Sequence, residues 1–146
     1  MDWNVRFALN LLASGGLISV IVTSVVKGAT ESFVNTLITS LQLDKIGTCE
    51  QCAHLVKTEM SLRNMAGRHI RLETNGRNGV LGLIWDDGTH QQIATNGFHE
   101  AIVIEINKEQ MVFDNIYPQG KSLEQWLNDL VVCSGNQLNL VQDEPF

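Results

Sequence analysis

The apolar positions along the chain change their period twice. Residues 7–26 are almost uncharged and mostly apolar, bounded by Arg6 and Lys27, and Gly28 marks their expected end. Phe33, Val34, Leu37, Ile38 and Leu41 then fall at the i, i+3, i+4 spacing of an amphipathic helix over residues 30–43. After a break at residues 44–47, Cys52, Val56 and Met60 continue down one face of a second helix, with Leu55 beside them. Thr48 and Gln51 form the sequence signature of a capping box at its head. From residue 68 the period becomes that of strands. Ile70 and Leu72 alternate with polar residues, residues 80–85 form a short apolar run, and residues 91–95 suggest a further strand. Residues 98–106 and 111–113 are apolar runs on either side of the polar stretch Asn107, Lys108, Glu109, Gln110, the pattern of a β-hairpin. Ser122, with Gln125 three residues on, opens a last helix through Leu123, Trp126, Leu127 and Leu130. Residues 138–141 read as an edge strand and residues 142–146 as a loose tail. Helices first and antiparallel strands afterwards define an α+β protein, with N-terminal helices packed on an antiparallel β-sheet and a C-terminal helix. Trp85 and Trp126 both read as core.

Composition narrows the function. An apolar content of 44% with 18% charged residues places the chain among globular proteins. The 146 residues fit one domain, 1–146, in which a helical segment 1–47 precedes a core 48–146. A net charge of −6, with no basic run and no Gly-rich phosphate loop, argues against nucleic acid as a partner. Three cysteines, Cys49, Cys52 and Cys133, are too few and odd in number for a disulfide framework. Residues 7–26 have the length of a membrane span. Asn10, Ser14, Gly15, Gly16, Ser19, Thr23 and Ser24 dilute them, so a packed N-terminal helix broken near Gly15 and Gly16 is expected, with a membrane segment as the alternative. Asp2 beside Arg6 argues against a signal peptide.

The chemistry concentrates around the hairpin. If Asn107 and Lys108 are the central residues of its turn, Ile106 faces Glu109 and Ala101 faces Asp114. His99 then points to the same side of the sheet as Asp114, a diagonal neighbour at about 7–8 Å between backbone positions. Upstream, Cys49 falls at the first position of its helix. A thiol attacks as thiolate, and a helix N-terminus or a nearby imidazolium lowers its ordinary pKa of about 8.5. Cys49 as nucleophile, His99 as acid/base and Asp114 as the orienting carboxylate would form a thiol hydrolase site. The free N–H groups of the helix's first turn would hold an oxyanion. Cys52, one turn further in, is the alternative nucleophile, or else a small core residue. Asn115 is a second candidate for orienting the ring, and Gln42 for the oxyanion. No metal or cofactor is expected. Zinc would need two more ligands, and His54, His69, His90 and Cys133 form no recognisable second pair. A thioredoxin-like reading of Cys49 and Cys52 is disfavoured because a helix, not a strand, precedes them.

The ordered pieces CEQCA at a helix start, RHIRLET, GFHEAIVIE, VFDNIYPQG and SLEQWL resemble the papain-fold toxin domains of bacterial polymorphic toxin systems. The resemblance spans about residues 48–130. It implies a papain-like fold and carries the three roles onto Cys49 (or Cys52), His99 and Asp114. It also implies a protein substrate, cleaved or deamidated at glutamine, secretion or delivery into a target cell, and a cognate immunity protein as partner. The alternative is a non-catalytic papain-fold module that binds a partner or, through residues 7–26, a membrane.

Overall fold

The computed structural model describes residues 17–76, 79–133 and 135–146, with side chains from Lys27 onward. Among the described residues two helices come first, α1 (Leu17–Ser40) and α2 (Cys49–Leu62). Strand β1 (Arg68–Thr74) follows, then a 3-10 turn (Gly79–Gly82) and the short strands β2 (Ile84–Asp86) and β3 (Gln91–Ala94). The hairpin is β4 (Phe98–Ile106) and β5 (Glu109–Phe113), after which come β6 (Lys121–Ser122), α3 (Leu123–Asp129), β7 (Leu130–Val132) and β8 (Leu138–Pro145). The strands form a five-stranded sheet, β6-β5-β4-β1-β8, and a three-stranded one, β3-β2-β7. Their paired neighbours run antiparallel, so the expected α+β class is the observed one.

β4 is the centre of the molecule, buried on both faces, which explains its nearly continuous apolar run. On one face Ile102, Ile104 and Ile106 meet Val34 and Ile38 of α1 and Cys52, Ala53, Val56 and Met60 of α2. On the other, Ala101 and Val103 meet Ile70, Leu72, Val112, Tyr117 and Trp126. Helix α2 therefore lies across the sheet with its apolar stripe inward, and its N-terminus points towards the end of β5.

Several expectations are corrected. Gly28 does not end the first helical segment. α1 runs through it, because one glycine costs a helix only about 1 kcal/mol and open space surrounds the position. Residues 7–16 of the proposed membrane or packed segment lie outside the described residues. Among those described, no helix is long and apolar enough to cross a membrane. Residues 80–85 do not form one strand. The 3-10 turn takes their first half, and Trp85, on β2, is 36% exposed rather than core. The tail is not loose either. β8 continues to Pro145, Arg68 Nη1 meets Asp143 Oδ2 at 2.6 Å, and Gly67 and Phe146 exchange two backbone bonds. Polar residues at an exposed edge hid that strand. Thr48 precedes α2 but does not cap it: its hydroxyl donates back to the Leu43 and Lys45 carbonyls, at 2.7 Å each. At α3, by contrast, Ser122 Oγ accepts from the Gln125 N–H at 3.3 Å.

Candidate active site

The site begins with the hairpin turn. Ile106 pairs with Glu109, leaving Asn107 and Lys108 as the two turn residues, with φ of 56° and 68°. Two successive left-handed residues make the type I′ turn whose twist suits a tight hairpin. This fixes the register. The ladder ends at Ile102 opposite Phe113, and Asp114 leaves the sheet one residue later, diagonal to His99. Their side chains bridge the gap: His99 Nε2 donates to Asp114 Oδ2 at 2.8 Å, with both residues buried.

Asp114 is held by three more donors. Trp126 Nε1 reaches the same oxygen at 2.9 Å. The N–H groups of Ile116 and Tyr117 reach Oδ1 at 2.9 and 2.6 Å. Burial alone would raise the carboxyl pKa. The bonds from His99, Tyr117 and Trp126 outweigh it and hold the group below the usual carboxylate range. Burial would likewise lower the His99 pKa. The bond to Asp114, and after it the Cys49 side chain, reverse this and push it up to about 9. The cation is thus the stable form of His99 at neutral pH.

Cys49 opens α2 and is 7% exposed. It is the sulfur that acts on His99. Asp114 occupies Nε2, which leaves Nδ1 as the ring nitrogen open to another partner. Nδ1 itself is buried with no well-aligned hydrogen-bond partner, and the Cys49 side chain raises the ring's pKa through a looser hydrogen bond and through charge. Cys52 is fully buried in the core formed by α1, α2 and the sheet. Burial pushes its thiol up, and Asp114, Cys49 and Asp44 add to the effect, so Cys52 stays protonated. Of the two sulfurs, Cys49 is the one whose side chain acts on the His99 ring.

Asn115 does not orient His99. Its Nδ2 donates to the Lys45 carbonyl at 2.7 Å and ties the segment after Asp114 to the loop before Cys49, while its Oδ1 is buried without a partner. Gln42 is exposed, with φ of 55°, and its Oε1 accepts from Lys45 Nζ at 3.0 Å. Its contact is thus with Lys45 rather than with His99 or Asp114. Among the described residues no group of three or more His, Cys, Asp and Glu side chains could hold a metal ion. His54 instead lies edge-on to His69, with ring centroids 5.2 Å apart.

Sequence reasoning missed the contribution of Trp126, which is fully buried and tilted against His99 with ring centroids 5.8 Å apart. It also missed Asp86, a buried carboxylate on β2 that accepts from the Tyr117 hydroxyl at 2.6 Å. The one available signal was a Trp one turn into a helix that directly follows the Asp114 loop.

The papain fold toxin 2 family matches this chain over residues 33–131. The match takes in more than half of the 146 residues, including Cys49, His99 and Asp114, and the chain belongs to that family. Its α+β architecture is accordingly papain-like, and its class is that of toxin domains resembling cysteine hydrolases. No curated protein and no solved structure gives a match.

Proposed function

We propose that the protein is a papain-like thiol hydrolase acting on a protein amide, either a peptide bond or the side chain of glutamine. The observation that carries this reading is the placement of His99. A buried carboxylate holds Nε2, and the Cys49 side chain acts on the same ring. Cys49 attacks the carbonyl carbon as thiolate, beside the His99 cation that already holds the proton on Nδ1. The tetrahedral oxyanion is met by N–H groups of the first turn of α2, which have no partner within the helix. His99 returns the proton from Nδ1 to the leaving nitrogen, and the C–N bond breaks to leave a thioester on Cys49. Water then attacks the thioester and gives a proton to His99. Breaking the C–S bond releases the carboxylic acid and restores the pair. Asp114 keeps Nε2–H occupied throughout, so the ring presents Nδ1 to sulfur and substrate.

The same steps free a new amino terminus from a peptide bond or ammonia from glutamine. Mass spectrometry of target-cell proteins after exposure distinguishes the two outcomes. New termini mark proteolysis, and a gain of about 1 Da on glutamine marks deamidation. Cys49→Ala, His99→Ala and Asp114→Ala should each abolish the modification while the fold persists. Full activity in H99A would refute the mechanism. Delivery into a target cell and neutralisation by a cognate immunity protein complete the proposal, and rescue of intoxicated cells by a co-expressed neighbouring gene product would test it.

A further inference from the structure

The hydrolase chemistry leaves Cys52 unused. Cys49 and Cys52 are the first and fourth residues of α2, and both side chains are buried on its inner face. Positions three apart on a helix bring Cβ atoms to about 5–6 Å, whereas a disulfide needs about 3.5–4.5 Å. A small tightening of the first turn closes that difference. Thr48 spends its hydroxyl on the loop carbonyls and places no side-chain cap on the helix, while its own carbonyl accepts from the Cys52 N–H at 2.9 Å. The environments of the two sulfurs divide the labour. The imidazole beside Cys49 favours attack by that sulfur, while its buried neighbour waits as a thiol.

We propose that Cys49 and Cys52 form a reversible disulfide that switches the nucleophile off, with a peroxide as oxidant. The Cys49 thiolate attacks one peroxide oxygen. The O–O bond breaks, sulfur is oxidised to the sulfenic acid, and the other oxygen leaves as hydroxide. Cys52 sulfur then attacks the sulfenic sulfur. The S–S bond forms, the S–O bond breaks, and the Cys52 proton leaves with the hydroxyl as water. A dithiol returns two electrons and restores both thiols. Oxidation would thus hold the site inert until the protein meets a reducing compartment, and Cys52 would spare Cys49 from irreversible oxidation. The proposal rests on Cys49 being the reactive thiol of the site.

The test uses the whole reduced chain and hydrogen peroxide. Trypsin cuts at Lys45 and Lys57, so one peptide carries both sulfurs and excludes Cys133. After peroxide that peptide should be lighter by about 2 Da, iodoacetamide should no longer label Cys49, and dithiothreitol should reverse both changes. In Cys52→Ala, peroxide should instead carry Cys49 to the sulfinic acid, a gain of about 32 Da that dithiothreitol does not reverse. Sulfinic acid on Cys49 of the wild-type chain, with Cys52 still a free thiol, would overturn the switch. So would a bridge to Cys133. The wild-type measurement decides the matter even if the Cys52 variant folds poorly. Normal His99-dependent labelling of reduced Cys49 without a disulfide defeats the switch alone. An unreactive Cys49 in the reduced chain defeats the hydrolase reading as well.

Discussion

β4 carries two buried histidine–carboxylate pairs on adjacent residues. His99 pairs with Asp114, and on the opposite face Glu100 pairs with His69 of β1; both Nε2–oxygen distances are 2.8 Å. The pairs differ in what else the carboxylate holds. Glu100 Oε1 accepts from Arg71 Nη1 at 2.9 Å, and that guanidinium lies 3.7 Å from the centre of the Phe98 ring and reaches Glu73 at 2.8 Å. The charge on Glu100 is therefore answered by an arginine. Asp114 receives only neutral N–H groups besides His99, so the histidine has to supply the cation. The free side of His69 meets another imidazole, whereas that of His99 meets a sulfur. The same bond at the same length is thus a structural staple on one face and the makings of an acid/base on the other. The third partner of the carboxylate decides which.

The largest test of this contrast is activity. C49A and H99A should fall to background, a loss of at least about a thousandfold, whereas His69→Gln should remain near wild type in the same assay. Next comes Asp114→Asn, which should lower activity by about 10²–10⁴-fold. Without the carboxylate, the burial of His99 is opposed by the smaller effect of the Cys49 side chain. Its NMR titration midpoint should drop from about 9 to below the ordinary histidine value, while Glu100→Gln leaves it unmoved. The sign for stability follows. The pKa of His99 is raised by folding, so its contribution is complete below about pH 6.5 and fades as pH rises through the folded value. Asp114 is depressed, so its contribution is present above about pH 4 and lost on acidification. The gap in urea midpoint between wild type and Asp114→Asn should therefore be wide at neutral pH and narrow above about pH 9.

Smaller effects sharpen the comparison from the other face. Glu100→Ala strands the buried His69, leaves Arg71 with Glu73 and Phe98, and should cost about 3 kcal/mol in urea unfolding, yet leave iodoacetamide labelling of the folded protein unchanged. Trp126→Phe keeps most of the ring and removes one donor from Asp114. It should cost about 1 kcal/mol of stability, with a fall in kcat smaller than that of Asp114→Asn.

The hairpin was legible because two features agreed. Two apolar runs marked the paired strands, and a polar turn with Asn107 in a tolerated left-handed position fixed the count. His99 and Asp114 could be put on one side from those facts alone. The inner face of α2 was legible too, since Cys52, Val56 and Met60 recur at helical spacing and are all buried. What stayed hidden depends on partners distant in sequence. Nothing near Asn115 names Lys45. Trp126 looks like any core tryptophan until α3 folds beneath the hairpin and brings its N–H to Asp114. The polar end of β8 reads as a tail because the arginine that steadies it, Arg68, sits on another strand.

The Tyr117 hydroxyl reaches across to Asp86 in the smaller sheet, while its backbone N–H holds Asp114. Lys121 Nζ donates to the same hydroxyl at 2.8 Å, and Gly88 packs so closely that any side chain there would strike it. The molecule therefore has a rear latch. Prising β2 outward, by a binder or by Gly88→Ala, would loosen Tyr117 and unseat the carboxylate without touching the thiol. Faster hydrogen exchange at the Tyr117 amide in that variant, with Cys49 labelling at about pH 6 slowed in step, would be the mark of disarmament from behind.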